Sequence, residues 1–131
     1  MTGGKKICVA VVDDDASLCK ALARLLSAAG ISPVTYHSAE EFLADQDRSD
    51  LDCLILDIQL GGMSGLELQK ALSALGREIP IVFITAHDEA DLAEQAERFG
   101  CVAYLRKTDP GQEVLQAVRR GASLVKAGRL P

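Results

Sequence analysis

The feature that most limits how this chain can fold is a fivefold alternation: a short run dominated by apolar residues, weakest in the second, then a segment whose apolar residues recur every three or four positions. The runs Ile7 to Val12, Ile31 to Tyr36, Leu51 to Leu56, Ile79 to Ile84 and Cys101 to Leu105 read as strands. Between the first two, Leu18, Leu22, Leu25, Leu26 and Ala29 form a helical stripe closed by Gly30. Ser38-Ala39-Glu40-Glu41 is a capping-box pattern that opens a short helix with Phe42 and Leu43. After the Gly61-Gly62 turn, Leu68, Ala71, Leu72 and Leu75 repeat until Gly76, and later Leu92, Ala93, Ala96 and Phe99 repeat until Gly100. Asp109-Pro110 offers an N-cap with proline at the first helical position, and Val114, Leu115, Val118, Ala122 and Val125 mark a last helix. Strands apolar on both faces, each followed by a helix, call for a parallel sheet covered on two sides. The expected class is therefore α/β, a doubly wound five-stranded parallel sheet in a three-layer sandwich.

At 131 residues one domain is expected, since two cores would leave each half too short to fold comfortably alone. It should span residues 7–125, with a flexible N-terminus at 1–6 and a tail or the start of a linker at 126–131. A content of 48% hydrophobic and 25% charged residues excludes disordered and low-complexity architectures. The net charge of −5 opposes attraction to a polyphosphate backbone or an anionic membrane, so neither is expected as a direct partner. The longest apolar run, Ile79 to Ile84, is far short of the roughly 20 residues a bilayer crossing needs, and Met1 to Lys6 leads into no signal-peptide core. A cytoplasmic protein is expected. Cys8, Cys19, Cys53 and Cys101 lack C-x-x-C spacing and read as reduced thiols of the core.

In an open parallel sheet every strand delivers its last residue to one edge, and ligands bind where the winding reverses. The first strand ends in Asp13-Asp14-Asp15, the third in Asp57, the fourth in Thr85-Ala86, and Arg106-Lys107 follow the fifth. In the strand order 2-1-3-4-5 the reversal falls between the first and third strands, so Asp13, Asp14 and Asp57 would face one another there. Two carboxylates about 5 Å apart repel by roughly 3 kcal/mol at an effective dielectric of about 20, so three together require a cation or a proton. Oxygen ligands with open positions suit Mg²⁺ completed by a phosphate oxygen. Asp57, central in the cluster, is then the candidate nucleophile, because aspartyl phosphates are established covalent intermediates. Asp13 and Asp14 would hold the metal, while Thr85 and Lys107 would offer a hydroxyl and an ammonium to phosphoryl oxygens. Taken singly, each has a plain structural reading: a helix N-cap for Asp13, Asp14 or Asp15, a strand terminus for Thr85, a solvated lysine at 107. The joint placement carries the inference.

These residues, in this order, resemble the receiver domain of two-component response regulators from Ile7 to about Gly121. V-V-D-D-D is similar to the family's acidic start, L-I-L-D-I-Q-L-G-G-M-S-G-L-E-L to its phosphoacceptor segment, I-V-F-I-T-A-H-D to its threonine strand and A-Y-L-R-K to its lysine segment. The texture is closest to receivers that precede LuxR-type DNA-binding domains. The resemblance implies a flavodoxin-like receiver fold and a signalling switch. Asp57 would take a phosphoryl group from a phosphohistidine on a histidine kinase or phosphotransfer protein, with Mg²⁺ required, and the chain would catalyse only its own phosphorylation and hydrolysis. Asp14, Asp57 and the Gln59 backbone carbonyl would touch the metal, with Asp13 acting chiefly through a coordinated water. Thr85 would swing toward the phosphoryl group and draw Tyr104 inward, changing the surface of the fourth helix, fifth strand and fifth helix. An output domain or protein would read that surface, and a homodimer on phosphorylation is a further expectation. Gln59 and His87, two residues beyond the acceptor and the threonine, would tune the phosphoryl lifetime. With His37 in a distant loop, His87 has no histidine partner for a metal and is expected as an exposed imidazole.

Two positions depart from the family. Thr108 stands where a proline joined by a cis peptide usually follows the lysine; a cis Lys107-Thr108 bond would cost about 3–4 kcal/mol, which favours a trans loop and leaves the reach of Lys107 open. Gly61 replaces the usual proline four residues after the acceptor and, with Gly62, should loosen that loop. The altered lysine loop supports a second reading, a pseudo-receiver that binds partners without phosphorylation. A phosphate-ester hydrolase with an aspartyl nucleophile would usually need an acid two residues on, where Gln59 stands. A flavin protein of this fold would need a glycine-rich phosphate loop after the first strand, which this sequence lacks.

Overall fold

Five strands, β1 (Cys8–Val12), β2 (Ser32–Tyr36), β3 (Cys53–Asp57), β4 (Ile81–Thr85) and β5 (Ala103–Arg106), pair in parallel in the order β2-β1-β3-β4-β5. They alternate with α1 (Ala16–Ala28), α2 (Ala39–Ala44), α3 (Gly65–Ala74), α4 (Ala90–Arg98) and α5 (Gly111–Lys126) in a computed structural model that describes residues 6–45, 50–86, 90–98 and 100–126. The doubly wound α/β sandwich expected from the alternation is the fold observed.

Successive strand residues face opposite ways, so each apolar run feeds two cores. Ala10, Val12, Leu54, Leu56 and Phe83 pack on one side with Phe42 of α2, Leu68 and Leu72 of α3 and Ala96 of α4. Val9, Val11, Ile55, Val82 and Ile84 pack on the other with Cys19, Leu22 and Leu26 of α1 and Val114 and Val118 of α5. The central strands β1, β3 and β4 are buried throughout, whereas the edge strands β2 and β5 are largely half-exposed. Pro33 lies on edge strand β2, where a missing N–H is tolerated. Cys8, Cys19 and Cys53 are buried and Cys101 half-buried, all as free thiols, in keeping with the core role expected of them. No helix of the described residues is long and apolar enough to cross a membrane.

Each strand starts one or two residues later than its apolar run, and β3, β4 and β5 continue one residue further, onto Asp57, Thr85 and Arg106. Hydrophobicity and ladder pairing are separate signals. Leu51 is buried without belonging to a strand, while the polar residues of the rim stay within the sheet's own hydrogen bonding.

The helix caps correct two expectations. At α2, Ser38 Oγ accepts from the Glu41 N–H at 2.9 Å as the capping pattern implies, but the Glu41 carboxylate reaches the His37 N–H at 3.4 Å, so the box is displaced by one residue. Asp109 accepts from the Arg106 N–H at 2.9 Å and thus ties off β5, while the first turn of α5 starts from the Pro110 carbonyl, which accepts from the Glu113 N–H. A complete capping box forms instead at α3, where Ser64 Oγ accepts from the Glu67 N–H and the Glu67 carboxylate accepts from the Ser64 N–H.

These bonds hold the Glu67 carboxyl below the usual carboxylate range. Its contribution is therefore fully present above the unfolded pKa and is lost as pH falls through the lower folded one. Ser64→Ala is expected to cost about 1 kcal/mol in urea unfolding at neutral pH, with the deficit shrinking in acid; an unchanged midpoint at neutral pH would contradict this role for the box.

Candidate functional site

Helices α1 and α3 leave the neighbouring strands β1 and β3 toward opposite faces of the sheet, which opens a cleft at the carboxyl edge between them. The three consecutive aspartates after β1 divide the work there. Asp15 turns outward as the N-cap of α1, accepting from the Ser17 and Leu18 N–H groups at 3.0 and 3.2 Å. Asp13 is fully buried; its Oδ1 accepts from the Asp15 N–H at 2.8 Å and its own N–H extends the ladder to the Tyr36 carbonyl. Asp14 is exposed, at the mouth of the cleft, and its Oδ2 receives the Gly61 N–H at 3.4 Å.

Asp57 ends β3 and is only 3% exposed. Its Oδ1 accepts from the Gln59 N–H at 3.0 Å and its Oδ2 from Lys107 Nζ at 3.0 Å. The same Nζ lies 3.0 Å from Asp13 Oδ2. That second contact is an ion pair rather than an aligned hydrogen bond, so Asp13 Oδ2 is a buried oxygen without a directed donor. Lys107 is carried there by the Lys107 N–H, which bonds the Thr85 carbonyl at 2.7 Å and prolongs the β4–β5 ladder by one rung. No cis peptide occurs among the described residues, so the Lys107–Thr108 bond is trans, and the lysine reaches the pocket nonetheless.

Burial raises the Asp57 carboxyl above its usual range, and the neighbouring Asp13 charge pushes the same way; the Gln59 N–H and Lys107 only partly offset them. For Lys107 burial disfavours the charge, but the close Asp13 and Asp57 carboxylates, the latter also hydrogen-bonded, outweigh it and hold the ammonium above its ordinary value. One carboxylate oxygen from each of Asp13, Asp14 and Asp57 lies within 4.8 Å of the others. Three carboxylates against one ammonium leave negative charge uncompensated, and the undirected Asp13 Oδ2 offers a hard donor. The set fits Mg²⁺, whose preferred ligands are oxygen atoms with room left for water or phosphate.

Thr85 is fully buried at the end of β4, one residue past Ile84, the partner of Asp57 in the ladder. Tyr104 pairs with Phe83 across β4 and β5, its ring tilted 48° at 6.4 Å and its hydroxyl oxygen shielded from solvent. The fold thus brings Asp13, Asp14, Asp57 and Lys107 into contact range, with Thr85 beside them. Gln59 is exposed and enters the site through its N–H, while His87 lies outside the described residues.

Three contributors escaped the sequence reading. A Cβ on Gly65 would lie 2.3 Å from the Asp57 carbonyl oxygen and 2.8 Å from Ile58 Cα, so α3 starts pressed against the end of the acceptor strand. Cys19 donates its thiol to the Asp13 carbonyl at 3.2 Å; burial and the charges of Asp13 and Asp15 push its pKa up to about 11, which keeps the donor proton in place. Glu40 of α2 accepts from the Met63 N–H at 3.0 Å. Only the Ser64–Glu67 box beside Gly65 had a local signature, S-x-x-E; Glu40 and Cys19 act across sequence distances that spacing does not reveal.

The family model of the response regulator receiver domain matches residues 9–119. The response regulator protein TodT of Pseudomonas putida is 38% identical over 119 residues, covering 91% of this chain and 52% of TodT. Nodulation protein W of Bradyrhizobium diazoefficiens is 39% identical over 113 residues, covering 86% of this chain and 50% of its own length. The chain thus spans about half the length of these curated relatives. Among solved structures, the response regulator StyR superposes with a TM-score of 0.87 at 40% identity over 95% of this chain and 63% of StyR. FixJ-N superposes with a TM-score of 0.84 at 30% identity over 92% of this chain and 96% of that chain.

Removing Lys107 leaves two adjacent buried carboxylates without their counter-charge. Lys107→Met is expected to cost about 2 kcal/mol in chelator-treated protein, less than for a fully sealed pair because the ammonium sits near the rim, and added Mg²⁺ should recover part of it. Asp57→Asn should instead stabilise the metal-free protein. The fold disfavours the Asp57 charge, so its penalty is present above the raised folded pKa and fades as pH falls through it. The advantage of the Asn variant over the parent should narrow correspondingly in acid; an Asn variant less stable than the parent at neutral pH would contradict this electrostatic picture.

Proposed function

The chain belongs to the response regulator receiver domain family, and from that premise we propose that Asp57 is the phosphoacceptor of a Mg²⁺-dependent switch. Its phosphoryl group would come from a phosphohistidine on a histidine kinase or phosphotransfer protein. Receiver domains are regulatory phosphoacceptors of two-component systems, and this chain is one. The observation that carries the finer reading is Lys107 Nζ, held 3.0 Å from both Asp13 and Asp57 at the winding reversal of the sheet. It weighs against the pseudo-receiver alternative, in which the altered Lys107-Thr108 loop disables the chemistry.

In the forward step an Asp57 carboxylate oxygen attacks phosphorus. The new O–P bond forms as the P–N bond to the donor imidazole breaks, and the electron pair of that bond leaves with the nitrogen. Asp14, Asp57 and the Gln59 carbonyl would hold Mg²⁺, with Asp13 acting chiefly through a coordinated water, and the bound cation would supply positive charge that lessens repulsion between carboxylate and phosphoryl group. Lys107 gives up its bond to Asp57 Oδ2 for a phosphoryl oxygen, which uncovers the acceptor and stabilises its product together. Hydrolysis runs by water attack on phosphorus, with the O–P bond breaking to regenerate the Asp57 carboxylate. In the family's arrangement the residues two beyond the acceptor and the threonine, Gln59 and His87 in this sequence, would tune the lifetime of the phosphorylated state.

Thr85 then follows the phosphoryl group, and the Tyr104 ring against Phe83 adjusts with it, altering the face formed by α4, β5 and α5. An output domain or protein, or a second copy of the chain, reads that face. We take 7–125 as the extent of the receiver, with 126–131 as its tail or the start of a linker, in a cytoplasmic protein. Neither nucleic acid nor membrane is a direct partner of this segment.

Treatment with acetyl phosphate and Mg²⁺ followed by intact-mass spectrometry should add one phosphoryl group to the parent and none to Asp57→Asn. Equal labelling of both would remove Asp57 as the acceptor, and no labelling of the parent would favour the pseudo-receiver. Thr85→Ala should still be labelled, with the amide-exchange change in α4, β5 and α5 that follows phosphorylation lost.

A further inference from the structure

We infer that Glu40, in the first turn of α2, is a positioning residue for the metal site, acting through the loop between β3 and α3. This rests on the reading that Asp14 and the Gln59 carbonyl hold Mg²⁺. That loop contains a glycine pair, Gly61 and Gly62, whose backbone is unusually free, separated from Gln59 only by the buried Leu60. Gly62 has φ +75°, and a Cβ there would lie 2.9 Å from Glu40 Oε2. The Glu40 carboxylate thus occupies the room that Gly62 leaves open, and the same oxygen accepts from the Met63 N–H at 3.0 Å. On the other side of the glycine pair, the Gly61 N–H points to Asp14 Oδ2 at 3.4 Å. A single exposed side chain from α2 therefore anchors one end of a short glycine segment whose other end contacts a carboxylate of the acidic cluster.

The helix does not need Glu40 for its own capping, because Ser38 Oγ already accepts from the Glu41 N–H. Its position in the first turn does favour a carboxylate, since the N-terminal end of a helix is the positive one. Fixing the loop limits the conformations lost when Gln59 and Asp14 close on a cation, so the tie raises affinity without touching the metal.

The test compares Glu40→Ala with Glu40→Gln, which keeps an acceptor oxygen for the Met63 N–H but removes the charge. Amide exchange at Gly61, Gly62 and Met63 in metal-free protein should quicken in the Ala variant and stay near the parent rate in the Gln variant. Titration calorimetry should show Mg²⁺ binding weakened about tenfold by Glu40→Ala and by no more than about twofold by Glu40→Gln. Parent-like Mg²⁺ affinity in the Ala variant would overturn the proposal, as would equal losses in both variants, which would point to charge alone. A parent protein that takes up no Mg²⁺ would overturn the reading of the acidic pocket itself, and this inference with it.

Discussion

Two carboxylates that the sheet forces together, and the one ammonium placed between them, set the terms for the rest of this structure. Asp13 and Asp57 are buried because each follows, or ends, a strand whose apolar residues bury it completely. The core cannot be assembled without bringing those two charges to the same cleft. Lys107 offsets the repulsion only in part, as the raised Asp57 pKa records. Such an arrangement does not serve stability, and a charge deficit held in a rigid pocket is what a divalent cation with a phosphoryl group would relieve.

Around the pocket the backbone is held by the sheet itself. Ladder bonds continue past the strand ends to Asp13, Ile58 and Lys107, and Gly65 lets α3 begin in contact with the acceptor strand. On the function proposed above, a change in charge on Asp57 would be answered by Lys107 and Thr85 without remodelling the sheet. The neighbouring Tyr104 is half-buried against Phe83 on an edge strand, unlike the fully buried residues of the central strands.

The central strands and the residues at their ends were legible in the sequence because burial on both faces writes an apolar run that stops at a polar residue, a signal weaker in the half-exposed edge strand β2. Winding rules left only a few strand orders, and in the order 2-1-3-4-5, which the family resemblance implies, Asp57 falls beside Asp13. Within Asp13-Asp14-Asp15 the sequence left the roles open, since capping, metal binding and core burial all use the same carboxylate; only the turn of the backbone into α1 assigns the cap to Asp15. Lys107 was uncertain for a related reason, as its reach depends on a ladder bond to Thr85 rather than on the residue that follows it. Glu40 and Gly65 were beyond reach, because their significance lies in which loops and helices the fold brings within bonding distance.

The most direct measurement is a crystal structure of the chain grown with Mg²⁺ and beryllofluoride, the stable mimic of an aspartyl phosphate. Beryllium bonded to an Asp57 carboxylate oxygen, a cation against Asp13, Asp14 and the Gln59 carbonyl, and Lys107 Nζ transferred to a fluoride are the expected result. An unmodified Asp57 still bonded to Lys107, with the cation bound elsewhere or not at all, would contradict the convergence of these residues on phosphoryl transfer.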